Sequence, residues 1–144
     1  MTDPLPTDPE GWPHRWTERL RYGDTDRQGH VNNAVYATLF ESSRVAFLFD
    51  PEAPVAPAGA QFVLARIAID FRREMLWPGT VEIAAAVTRI GRSSVALRQA
   101  LWREGVLSAE AESVVVLMDD ATRAAVPLPE ETRAALAPFA LRGA

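Results

Sequence analysis

The sequence predicts an α+β domain in which one antiparallel sheet of five strands covers a single long helix. Three observations carry this. The order of patterns is one strand, one long helix that is apolar around most of its circumference, then four strands. Only short glycine-bearing turns separate the last three strands, so they form a meander. The chain has 144 residues, 48% of them hydrophobic and 24% charged, which is enough for one core and too little for two ordinary domains.

From the start, Met1 to Pro13 carries four prolines together with Asp3, Asp8 and Glu10, and no apolar run. It is expected to be a flexible leader (residues 1–13) ahead of a single domain (14–144), and it has the composition of neither a signal peptide nor a membrane anchor. A cytoplasmic location and no membrane partner are the resulting expectations. His14 to Tyr22 alternates, with Trp16, Leu20 and Tyr22 on one side and Arg15, Thr17, Arg19 and Arg21 on the other, which predicts a half-buried strand. Gly23 to His30 has no period and reads as a loop.

Between Asn32 and Leu48, Val35, Tyr36, Leu39, Phe40, Ala46 and Phe47 recur at helical spacing, and Asn32 or Asn33 is placed to cap the start. Glu41 and Arg44 are the only charges on this helix, so it belongs inside the fold. Pro51, Pro54 and Pro57 end it and force an irregular crossing. Strands are expected at Phe62–Phe71, Thr80–Ile90, Ser94–Arg103 and Leu107–Met118, with turns at Gly91-Arg92-Ser93 and Glu104-Gly105. A short last helix starts at Pro129, with Glu130 and Glu131 in its first turn, and runs to about Leu136.

Function classes narrow by elimination. With 15 Lys and Arg against 19 Asp and Glu, the net charge of -4 supplies no positive field for nucleic acid. The absence of cysteine excludes a disulfide framework, a thiolate metal site and a cysteine nucleophile. Two histidines, His14 and His30, cannot make a histidine-rich metal cluster, and no metal or redox cofactor is implied. A sheet curled round such a helix leaves open edges and an apolar flank, and pairing two copies edge to edge removes both, so a homodimer is expected. A pair of dimers forming a homotetramer stays open.

The run from Arg21 to Tyr36, with its core Asp26-x-x-Gly29-x-Val31-x-Asn33, resembles the signature of hotdog-fold thioesterases of the 4-hydroxybenzoyl-CoA thioesterase type. Ile69-Asp70-Phe71, the Gly79 turn, Thr88 to Ser94 and Val126-Pro127-Leu128-Pro129 are similar to later parts of the same family, so the resemblance covers roughly residues 14–136. It implies a curved sheet wrapped around the central helix, and an acyl-CoA thioesterase whose sites lie between two subunits. It also implies that Asp26 attacks the thioester or activates water, while backbone N–H groups near Asn33 and Ala34 hold the carbonyl oxygen.

Elementary electrostatics is compatible with that role, because a helix start exposes unpaired N–H groups and partial positive charge where an oxyanion develops. The same field favours an ionised Asp26, which suits a nucleophile, whereas burial beside an acyl chain would make it a better base. Both roles stay open. Gly29 and His30 belong to the expected substrate-binding set, although His30 reads equally as a packing or hydrogen-bonding residue. Arg92, Ser93 and Ser94 are candidates for contact with CoA or are simply a solvated turn. Tyr36, Phe40, Val63 and Leu64 are candidates for an acyl pocket, the first two also reading as core.

Asp24 reads as a turn residue bonding its own backbone. The alternative from another class is a module of the same fold that binds acyl-CoA or an acyl carrier without hydrolysing it. A hotdog hydratase would need a histidine paired with an aspartate, and neither histidine matches that motif.

Overall fold

Residues 5–141 are described by the structure, a computed structural model. Strands β1 (His14–Arg19), β2 (Ala60–Phe71), β3 (Thr80–Ile90), β4 (Ser94–Arg103) and β5 (Val106–Asp119) form one sheet in the order β1-β3-β4-β5-β2. Every pairing is antiparallel. Helix α1 (Asn33–Leu48) follows β1 and α2 (Glu130–Leu136) follows β5, as the sequence pattern predicted. The sheet curves around α1, giving the hotdog arrangement.

The meander follows from its turns. Glu104 and Gly105 both adopt left-handed backbone, with φ of 50° and 77°, which a tight hairpin between β4 and β5 requires. Strand β2 reaches the far edge beside β5, with Ala60 opposite Asp119 and Phe71 opposite Ala109.

Side chains of β3, β4 and β5 that face α1 form two apolar clusters. One gathers Phe47 and Leu48 with Val87, Leu97, Val115 and Leu117, and it is closed by Leu128 and Leu136 from the tail. The other gathers Tyr36, Leu39 and Phe40 with Ile83, Leu101 and Ala109. Each fully buried large side chain contributes roughly 1.5–3 kcal/mol. Between the clusters lies a polar belt of Ser43, Arg44, Gln99 and Ser113, all buried.

Arg44, one of the two charges on this otherwise apolar helix, is only 5% exposed. Its Nη1 donates to Gln99 Oε1 at 3.2 Å, and Gln99 Nε2 donates to the Phe40 carbonyl at 2.9 Å. Burial lowers the Arg44 pKa, while the charge of Glu41 acts in the opposite direction.

Two expectations are changed. The first strand stops at Arg19, and Tyr22–Asp24 is a 3-10 turn. Trp16 is 40% exposed and Tyr22 73%, leaving Leu20 as the buried member of that face. The reason is position: β1 is an edge with β3 as its one neighbour, so Trp16 has no strand on its outer side.

The described part of the leader, residues 5–13, lies against the other face of the sheet. Ala84, Ala86 and Ala100 are small enough to leave a hollow there, and Trp12 and Trp102 meet edge to face at 6.2 Å. Trp102 Nε1 donates to the Thr7 carbonyl and Trp12 Nε1 to the Pro6 carbonyl, each at 3.3 Å. Residues 1–4 of the expected leader lie outside the described residues. Among the described residues, no helix is long and apolar enough to cross a membrane.

Candidate active site

Asp26 to His30 is a small hairpin on which the motif spacing makes physical sense. Thr25 and Val31 form a bridge; Asp26 N–H donates to the His30 carbonyl at 2.8 Å, and Gly29 N–H donates to the Asp26 carbonyl at 3.0 Å. Closing so short a loop requires a left-handed residue, and Gly29 supplies it at φ 83°. The aspartate completes the turn with its side chain: Asp26 Oδ1 accepts from Gln28 N–H at 2.8 Å and His30 N–H at 3.2 Å. Its other oxygen, Oδ2, has no hydrogen bond among the described residues, and the residue is half-buried.

The hairpin leads straight into α1. Val31 N–H bonds the Met75 carbonyl and Asn32 N–H bonds the Asp24 carbonyl, both at 2.8 Å, which fixes the helix start against two neighbouring segments. Asn32 is the cap, its Oδ1 accepting from Ala34 N–H at 3.0 Å. Of the two expected oxyanion donors, the Ala34 N–H is therefore engaged, while the Asn33 N–H has no acceptor among the described residues.

Asp26, His30, Asn33 and Tyr36 line one cleft of about 310 Å³. Its opposite wall is the segment after β2, Phe71 to Glu74. His30 Nε2 lies 3.0 Å from Glu74 Oε2, so this histidine ties the hairpin to that wall. Tyr36 is buried, its ring edge to face with Phe71 at 5.0 Å and its hydroxyl donating to the Arg73 carbonyl at 3.4 Å. Burial raises the Tyr36 pKa, and the charge of Glu74 adds to the rise against a backbone hydrogen bond that lowers it. The sequence reading missed Arg72, Arg73 and Glu74, which lie far from the motif along the chain; a charged run closing a long apolar strand was the available signal.

Asp24 has the structural role read for it. It is 3% exposed and accepts from Arg21 N–H at 2.8 Å, Arg21 Nε at 3.1 Å and Arg21 Nη2 at 2.8 Å. Burial alone would raise its pKa, but the Arg21 side chain, backbone N–H and charge together outweigh burial and hold it low.

The remaining candidates sit elsewhere in the single chain. Phe40 is 0% exposed, inside the second apolar cluster. Val63 and Leu64 are at the opposite end of β2 from Phe71, and Leu64 lines a separate pocket with Arg44. Arg92, Ser93 and Ser94 lie at that same far end, since Ser94 and Val63 both register with Val116. Their carbonyls receive Leu128, Leu117 and Gly91 N–H groups respectively, which fastens the turn to the tail. Among the described residues, no three His, Asp or Glu side chains are grouped so as to hold a metal ion.

Geometry and sequence agree with one family. Its model, described as the thioesterase-like superfamily, matches residues 20–136, a stretch running from the Asp26 hairpin through the sheet to α2. The chain belongs to the thioesterase-like superfamily. It thus joins a family of thioester hydrolases. It is 31% identical over 110 residues to the acyl-CoA thioester hydrolase YbgC of Escherichia coli, spanning 73% of this chain and 81% of that protein.

Among solved structures, a thioesterase of Thermus thermophilus complexed with coenzyme A and zinc superposes with a TM-score of 0.80 at 28% identity, covering 92% of this chain and 98% of the other. A predicted thioesterase from Bacillus stearothermophilus gives 0.79 at 26% identity, covering 88% and 96%. The fold expected from the family resemblance is thereby established for this thioesterase-superfamily chain.

Proposed function

We propose that the chain hydrolyses an acyl-CoA thioester to a free acid and CoA, with Asp26 acting at the thioester carbon and the Asn33 N–H receiving the carbonyl oxygen. One observation carries this reading: Asp26, with one carboxylate oxygen free of hydrogen bonds, and Asn33, whose N–H has no acceptor among the described residues, line the same cleft. Negative charge that develops on the oxygen meets the positive end of the helix. The named activity of the Escherichia coli relative and the coenzyme A in the Thermus thermophilus structure support the substrate class.

Two routes use this geometry. In the first, Asp26 Oδ2 bonds to the acyl carbon, the C–S bond breaks, CoA leaves as thiolate and takes a proton, and water hydrolyses the acyl-aspartyl anhydride. In the second, Asp26 takes a proton from water as the water oxygen attacks the acyl carbon, the C–S bond of the resulting intermediate breaks, and CoA leaves as thiolate and takes the proton back from Asp26. No metal or redox cofactor enters either route. Trapping with hydroxylamine separates the two: a hydroxamate at residue 26 follows from the first and not from the second.

The functional unit in this reading is a homodimer joined through β2. That strand is an edge of 12 residues, and Leu64 and Phe71 on it and Val45 and Phe49 on the neighbouring flank of α1 are all more than 40% exposed. Antiparallel pairing of β2 with its own copy brings the Leu64 end of one chain beside the partner's Phe71. Val63, Leu64 and the Arg92–Ser94 turn then stand at the partner's cleft, where an acyl chain and CoA would lie.

The test is release of thiol from acyl-CoAs by the wild type and by Asp26→Asn. The expected result is turnover lowered by about 10²–10⁴-fold in the variant, with the oligomer intact by light scattering. Equal rates would remove Asp26 from the chemistry, and tight acyl-CoA binding without thiol release by the wild type would make the chain a binding module.

A further inference from the structure

The polar belt in the core contains a charge without a counter-charge. Arg44 has five N–H donors and one observed acceptor, the neutral amide oxygen of Gln99. Among the described residues no carboxylate pairs with it. Glu41, one turn earlier on α1, is exposed, so solvent screens its charge. Its remaining guanidinium nitrogens are not sealed in the core, so they are free to bind an anion through paired hydrogen bonds.

Arg44 lines a pocket of about 170 Å³ that is open to such an anion. The remaining walls are mostly apolar, among them Leu48, Phe49, Phe62 and Leu64, and Glu41 also lines it. A ligand matched to this pocket has an aliphatic body and one negative group. In the proposed β2 dimer, Phe62 and Leu64 would come against the partner's Phe71, which would make this pocket a continuation of the partner's cleft away from Asp26.

We infer that Arg44 selects the acyl group: the enzyme prefers acyl-CoAs that carry a carboxylate remote from the thioester, held by the Arg44 guanidinium of the subunit opposite the attacking Asp26. This rests on the thioesterase reading and on the β2 dimer. Arg44 is then a specificity residue, acting at the distal end of the substrate rather than on the thioester carbon.

The experiment measures kcat/KM by thiol release for two pairs of equal carbon number, glutaryl-CoA with pentanoyl-CoA and adipoyl-CoA with hexanoyl-CoA. In the wild type at least one pair is expected to favour the carboxylate ester by roughly tenfold or more. In Arg44→Met that ratio is expected to fall below one, chiefly through KM of the carboxylate ester. A wild-type ratio at or below one in both pairs overturns the inference without any variant. A ratio that Arg44→Met leaves unchanged overturns it as well, by showing that Arg44 only supports the core. Thiol release from none of the four esters overturns the thioesterase reading itself, and this inference with it.

Discussion

Two aspartates, two residues apart, end in opposite conditions. Asp24 is enclosed by the Arg21 turn with both carboxylate oxygens engaged. Asp26 lines the cleft, spends one oxygen on its own hairpin and leaves the other without a hydrogen bond among the described residues. The difference is one of backbone geometry: the 3-10 turn at Tyr22–Asp24 folds Arg21 back over Asp24, while the left-handed Gly29 turns the chain so that Asp26 remains at the mouth. Saturated polar groups hold a fold and unsaturated ones are available for chemistry.

The sharpest test of this contrast is to neutralise each carboxylate alone. Asp26→Asn should remove nearly all turnover with a change in unfolding free energy below about 1 kcal/mol, because the amide oxygen can still accept from Gln28 and His30. Asp24→Ala should do the reverse, costing about 2 kcal/mol in urea unfolding because it strands the Arg21 N–H and the cap of the turn. A variant at 24 that keeps full stability and loses activity would break the comparison.

Next in size is Gly29→Ala. No atom crowds the position within 4 Å, so its cost is the φ of 83° alone, roughly 1–2 kcal/mol. Because the strain falls on the Asp26 hairpin, kcat is expected to drop with stability, measured on the same sample.

The pH dependence follows from the low pKa of Asp24. A carboxyl whose folded pKa is depressed stabilises the fold above its unfolded value, here 3.8, and that stability is lost as pH falls through the lower folded value. Asp24→Asn should therefore differ from the wild type at neutral pH and begin to converge on it as pH falls below 3.8, in unfolding followed by circular dichroism. The smallest effect belongs to Tyr36→Phe, whose lost hydrogen bond is long at 3.4 Å; about 0.5 kcal/mol is expected.

Local signals were legible in the sequence. The Asn32 cap, the turns at Gly91 and Gly105, the order of elements and the Asp26 motif each depend on residues within a few positions of one another. Long-range placement was not. Alternation in His14 to Tyr22 says which side chains share a face, yet an edge strand leaves Trp16 open whatever its face. Glu41 and Arg44 are alike in the sequence as the two charges of an interior helix, and only Gln99 on β4 shows why Arg44 is the one that lies inside. Glu74 met His30 through tertiary structure, and the alanines of β3 and β4 gave no hint that the leader fills the hollow above them.

The Trp102 indole and the Thr7 carbonyl it bonds are 95 residues apart in sequence. Strand β1 likewise finds its partner β3 only after α1 and β2 have been made. A chain growing from its amino end therefore emerges with its first strand unpaired and Trp12 and Trp16 uncovered, and it can close this side of the molecule only late in synthesis. Even so β1 is not the last strand to pair, because β2 meets its partner β5 only once Val106–Asp119 has followed.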